Sequence, residues 1–228
     1  QLILSPANFI AILKDQYVLK SIMFTLYSSF LATILAILLG IPLAYVIARN
    51  EFYGKNLIES IIDIPVIIPH TVAGIALFSL LSRRSTLGTV FGNLGIVFQD
   101  SLWGVVIAMF FVSYPLFVNS AKEGFKSVNP NYERVARTLG ASQLKSFYQI
   151  ALPLSYHHLV SGAIMSWARG ISEFGAVVVI AYYPMIAATM IFYRFNTGGL
   201  KESQPIAVLL ILLCFVIFLF LRLISRKK

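Results

Sequence analysis

Charge is what this chain has least of. Only 12% of its 228 residues are charged, and the few charges are lopsided, with 9 acids against 18 lysines and arginines. Soluble globular domains carry about 25% charged residues, so a water-exposed surface of ordinary composition is excluded. A lone cysteine, Cys214, rules out an intrachain disulfide. It sits in an apolar run and reads as a small packing residue. Three histidines, His70, His157 and His158, show no ligand spacing, so no metal site is expected. No G-x-x-x-x-G-K-[ST] occurs, which leaves the chain without a phosphate-cradling loop of its own. Nor does Gln1–Gln16 carry a basic segment followed by an unbroken apolar core, so it is no signal peptide. It reads as an interfacial helix leading into the first span.

What the chain has in excess is apolar length. Hydrophobic residues make up 58% of it, and charge-free runs recur between Lys20 and Arg49 and over Ile64–Ser82, Ser101–Ala121, Ser146–Ala168 and Ser203–Leu221. A membrane-crossing helix needs about 20 such residues. The expectation is an all-α polytopic membrane protein with five spans, at Val18–Ala48, Leu57–Leu81, Leu102–Ala121, Leu154–Ala181 and Gln204–Leu223. Pro42 and Gly40 could kink the first. In the second, Pro65 and Pro69 remove two backbone donors, a break tolerated only against neighbours or a wet cavity. Phe174–Tyr193 is also uncharged. Because Tyr182-Tyr183-Pro184 reads as a break, it is taken as the end of the fourth span plus an external re-entrant or surface segment.

The net charge of +9 does not mark a nucleic-acid binder, because the basic residues cluster in the links. Arg49, Lys55, Lys122, Lys126, Arg134, Arg137, Lys145, Arg222, Arg226, Lys227 and Lys228 fall on one face of a five-span arrangement. Lys14, Lys20, Arg83, Arg84, Arg194 and Lys201 fall on the other. The positive-inside rule makes the first face, with the C-terminus, cytoplasmic.

One polar block interrupts the apolar chain, from Asn129 to Pro153. Asn129 is a good N-cap with Pro130 at the first helical position, and Glu133 lies where the helix dipole favours an acid. Tyr132, Val135, Ala136 and Leu139 form an apolar stripe, and Gly140 can end the helix in a left-handed turn. Ser142 then caps a second helix with a stripe of Leu144, Phe147, Tyr148 and Ala151. Two readings stay open on pattern alone: interfacial helices lying on lipid headgroups, or a surface offered to a soluble partner.

The spacing Glu133-x-x-Ala136-x-x-x-Gly140, followed by Ile150-x-Leu152-Pro153, resembles the EAA motif of the permease subunits of ABC importers. Arg134 and Val135 depart from the usual form. Two further stretches, Asp63–Leu77 and Trp167–Ala176 with Val177–Ala188 after it, resemble the molybdate/tungstate branch of the oxyanion permeases, archaeal members especially. The resemblance runs from about Tyr17 to Arg222. It implies a type I ABC importer permease fold with residues 1–228 as one transmembrane domain, and a sixth, N-terminal span in the intact protein. It also implies a coupling element at 129–153, with Glu133, Ala136, Arg137, Leu139, Gly140, Ala141 and Ser142 meeting an ATPase. The implied partners are a second copy of the chain, two cytoplasmic ABC ATPase subunits holding ATP and Mg, an external oxyanion-binding protein and the lipid bilayer. No cofactor is expected on this chain.

Within the spans, Arg169 and Glu173 are four residues apart on one helical face, where pairing lowers the cost of burying charge. They are either a structural ion pair or a place where Arg169 attracts an oxyanion. Pro69, Thr71, Ser166 and Ser172 join them as pathway or gate candidates, although small polar residues equally serve helix packing. His70 reads as a neutral ring bonded to a carbonyl freed by Pro69. Alternatives to molybdate/tungstate import are sulfate import, and an ATP-independent channel or secondary transporter. A membrane enzyme would need acids, histidines or metal ligands converging at one depth, and only Arg169 and Glu173 are available.

Overall fold

The computed structural model describes the backbone of residues 12–225 and the side chains of residues 12–219. The expected interfacial helix therefore falls almost wholly outside the described residues. The described elements are helical throughout: α1 (Gln16–Arg49), α2 (Lys55–Ile67), α3 (His70–Leu81), α4 (Thr86–Asn93), α5 (Leu102–Ser127) and α6 (Pro130–Thr138). Next, α7 (Gln143–Ser146) runs through a π-helical turn, Phe147–Ala151, and Leu152–Leu154 into α8 (Tyr156–Ile171). Then come α9 (Val177–Ile180), α10 (Ala187–Gly198) and α11 (Leu200–Ser225).

Among the described residues, three helices are long and apolar enough to cross a membrane: Gln16–Arg49, Leu102–Ser127 and Leu200–Leu219. At 1.5 Å per residue α1 reaches about 51 Å, well beyond a hydrocarbon layer of about 30 Å, so it tilts or projects. Over the expected second span lie two helices, α2 and α3, bent by 114° at Ile68–Pro69. Pro69 marks the bend, whereas Pro65 is accommodated inside α2. The expected continuous fourth span, Leu154–Ala181, is corrected. The chain leaves helical geometry after Ile171 and resumes only at Val177. The buried Glu173 side chain accepts from the Ala176 amide at 2.8 Å, tying down the turn that leads into α9.

The chain folds as two compact units. In the unit spanning Ser28–Ala181, α5 supplies the core with Phe117, Val118, Ala121 and Phe125, which pack with Ala36, Ala44 and Ile47 of α1, Ile62 of α2 and Ala151. Its helix start is capped by Ser101, whose hydroxyl accepts from the Gly104 amide at 3.2 Å. α8 packs along α5, where the Ser120 hydroxyl donates to the His158 carbonyl at 2.8 Å. In the other unit, Val18 and Ile22 of α1 pack with Ala187, Met190 and Ile206. There the Thr25 hydroxyl accepts from the Ala187 amide at 2.8 Å, and Arg194 pairs with Asp15 at 2.9 Å.

Candidate functional site

The polar block is built as its caps require. The Asn129 side chain accepts from the Asn131 amide at 2.9 Å, and Pro130 opens α6. Gly140, at φ 91°, closes it in a left-handed turn. The Ala141 amide reaches the Ala136 carbonyl and the Gly140 amide the Arg137 carbonyl, each at 3.0 Å. That pair of bonds is the Schellman arrangement, which satisfies the last carbonyls of the helix. Ser142 then accepts from the Lys145 amide at 3.2 Å to start α7.

The two sides of α6 have opposite characters. Glu133 is only 1% exposed and faces its own chain. The Tyr45 hydroxyl donates to its Oε2 at 2.5 Å and Arg49 Nε to its Oε1 at 2.7 Å. Arg49 Nη2 lies 2.7 Å from the same Oε1, and the Ser146 hydroxyl donates to the Glu133 carbonyl at 3.3 Å. Around this knot, the Tyr45 ring stacks edge-on against Phe125 and Phe147, at centroid distances of 5.4 and 4.7 Å. Each such pair contributes about 0.5–1.5 kcal/mol beyond its area burial. The block is thus clamped to the end of α1 and to α5.

The outer side is apolar and open. Tyr132, Val135 and Leu139 are exposed, Leu139 at 83%. Arg134 and Arg137 flank them, Ala136 and Ala141 are half-buried, and Ser142 is exposed. The second stripe is corrected. Phe147 and Ala151 turn inward while Leu144 and Tyr148 stay exposed. The π-helical turn takes one extra residue, so the 3.6-residue register assumed for that stripe is lost there.

A second polar group gathers where both broken helices meet. Arg169 Nη2 donates to Glu173 Oε2 at 2.9 Å, and Arg169 Nη1 donates to the Ser172 hydroxyl at 3.1 Å. His70 of α3 joins them, its ring nitrogens 2.8 and 2.9 Å from Arg169 Nη2. The expectation for His70 is corrected: its partner is this guanidinium, because the bend at Pro69 swings the start of α3 against the break after α8. Pro69, Thr71 and Ser172 are exposed beside the group. Ser166 is not part of it. It is fully buried within α8, as a packing residue would be.

Tyr45 and Arg49 were not among the candidates read from the sequence. The only signal for them was a basic residue at the end of a span longer than a bilayer requires. Asp63 is a further polar tie, its Oδ1 accepting from Asn119 Nδ2 at 2.8 Å between α2 and α5.

This all-helical architecture, with a capped block between apolar helices, is that of a membrane-embedded transporter subunit. The chain belongs to the family of binding-protein-dependent transport system inner membrane components, whose profile matches residues 36–228. It is 46% identical over 217 residues to the molybdate/tungstate transport system permease protein WtpB of Pyrococcus furiosus, covering 95% of this chain and 82% of that one. The sulfate transport system permease protein CysT of Escherichia coli is 31% identical over 208 residues, covering 90% and 75%. Among solved structures, a bacterial ABC transporter that imports alginate superposes with a TM-score of 0.78 at 18% identity, covering all of this chain and 85% of that one. The fold is that of the type I ABC importer permeases, and the chain is a transporter subunit.

Proposed function

We propose that this permease moves molybdate or tungstate into the cell, as one of two copies that form the pathway between them. The contrast between the relatives supports the choice of anion: 46% identity to the molybdate/tungstate permease against 31% to the sulfate permease. An external binding protein delivers the anion. Two cytoplasmic ATPase subunits, holding ATP and Mg, drive alternation between outward and inward openings. Residues 1–228 act as one transmembrane domain with its C-terminus in the cytoplasm. Asn129–Pro153 is the coupling segment, and Pro69, Thr71, Arg169, Ser172 and Glu173 line or gate the pathway.

The observation that carries this reading is the exposed apolar face of α6 on a base fixed by Glu133. A helix presenting Tyr132, Val135 and Leu139 outward, on a block held from behind, suits a groove on a soluble partner. Leu139→Asp should weaken co-purification of the ATPase while leaving the permease folded, since Leu139 is 83% exposed in its own chain. Losing the burial of one leucine costs about 2 kcal/mol, roughly thirtyfold in affinity. Unchanged association would remove the coupling assignment. Uptake of molybdate, tungstate and sulfate by the reconstituted complex tests the cargo, and a preference for sulfate would overturn it.

A further inference from the structure

We infer that the group at the bend of α3 is a transient oxyanion contact, in which Arg169 Nη1, the Ser172 hydroxyl and the amide end of α3 at Thr71 receive a tetrahedral anion. The inference rests on the import reading above and names the point at which the anion touches this chain. Its basis is the direction in which charge is arranged. Glu173 is 1% exposed. One of its carboxylate oxygens accepts from the Ala176 amide and the other from Arg169 Nη2. The negative end of the Arg169–Glu173 pair is therefore walled in. The positive end, with the Arg169 side chain 25% exposed and His70 41% exposed, faces the open side. A pair that is neutral overall thus presents N–H donors outward.

The rest of the cradle is polar. Ala73 is the first amide of α3 to bond back along the helix, to the Pro69 carbonyl, so the preceding amides point out of its end. Gly175 stands over that end. A Cβ there would come within 2.8 Å of His70 Cβ and 3.3 Å of the Thr71 nitrogen. Lacking one, Gly175 packs close against that end without a side chain filling it. Thr71 and Ser172 are exposed residues on either side; the Ser172 hydroxyl donates to the Arg169 carbonyl at 2.9 Å and accepts from Arg169 Nη1 at 3.1 Å, and both bonds can be exchanged for an anion oxygen. His70 is a positioning residue: with Glu173 it holds Nη2 back, which leaves Nη1 forward. A contact whose cation is already half-neutralised holds a dianion weakly, as a pathway that must release its cargo requires.

The test uses the reconstituted permease–ATPase complex with Cys214→Ala and Ser172→Cys. Modification by an anionic thiosulfonate should run roughly tenfold faster than by its cationic counterpart, after correction for their rates on a free thiol, at the low end of electrostatic focusing in a cleft. Tungstate in excess should slow that modification and leave Leu80→Cys, an exposed position farther along α3, unaffected. His70→Phe should erase the charge preference and His70→Gln, whose amide oxygen can accept from Nη2, should restore it. Thr71→Cys reads the same site where Ser172→Cys fails to assemble. Equal rates with both reagents, or equal tungstate protection at Leu80→Cys, overturns the contact. Tungstate uptake by the Cys214→Ala complex is measured alongside. Its absence with protection retained overturns the import reading alone, and its presence without protection overturns the contact alone.

Discussion

Glu133→Ala should uncouple ATP hydrolysis from transport, on the coupling role proposed above, and destabilise the permease, although Glu133 never reaches the outer face of α6. Its carboxylate is the shared acceptor for Tyr45 and Arg49, and the side chains of Arg49 and Glu133 are 10% and 2% exposed. Removing one partner of a buried pair strands the other, at a cost of about 3–5 kcal/mol. The block would then lose its polar tie to α1 and keep its apolar contacts around Phe147 and Ala151. The expected result is a lower midpoint of thermal unfolding in detergent and ATP hydrolysis that no longer tracks uptake. Glu133→Gln keeps two acceptor lone pairs on one oxygen and should fall between. Replacing both partners, Arg49→Met with Glu133→Leu, should recover most of the stability, because no buried charge is left unpaired. It should not recover coupling if the knot transmits motion into α1. A double variant that transports normally would reduce Glu133 to a packing residue. Leu139→Asp differs in kind: it should weaken association without moving the unfolding midpoint.

How much of this could be read beforehand depends on the range of the interactions. The first, third and fifth spans follow from charge-free runs longer than a bilayer needs, a property local to each run, and they stand as α1, α5 and α11. Asn129, Pro130, Gly140 and Ser142 take their places because capping is settled within four residues. The fourth span was misread because its break has a tertiary origin. Nothing in Ser166–Ala181 forbids a helix, and the break is held by Glu173 turning back to the Ala176 amide and by His70 arriving from another helix. Pro69 announced a break in the second span, but proline alone does not set a bend of 114°. The Tyr45–Arg49–Glu133 knot joins residues 84 and 88 positions apart, beyond any periodicity argument. The resemblance drew attention to Glu133, and the structure shows it turned toward its own chain.

Gly74→Leu should be severely damaging to the apolar helices. At Gly74, α3 lies against the chain entering α9 with no room for a side chain. A Cβ there would stand 2.8 Å from the Ala176 carbonyl oxygen, 2.9 Å from Ala176 Cα and 2.9 Å from Val179 Cβ. Two of these neighbours are backbone, so relief requires the two segments to separate. Alanine would gain up to about 1 kcal/mol of helix propensity over glycine. Overpacking of this kind costs about 1–3 kcal/mol, so even Gly74→Ala should be destabilising on balance. Leucine adds three more carbons to the same gap and should prevent α3 from docking, with loss of monodisperse protein after extraction. The consequence reaches beyond stability, because Ala176 is the residue whose amide Glu173 holds. Pushing α3 off that segment draws His70 away from Arg169 and should abolish uptake in whatever protein still folds. Gly92→Ala is the matched control. It lies in α4, a Cβ there meets nothing within 4 Å, and the substitution should be neutral or slightly stabilising. Wild-type unfolding and uptake in Gly74→Leu would show that the α3–α9 contact is looser than its geometry requires, and with it the placement of the Arg169 group.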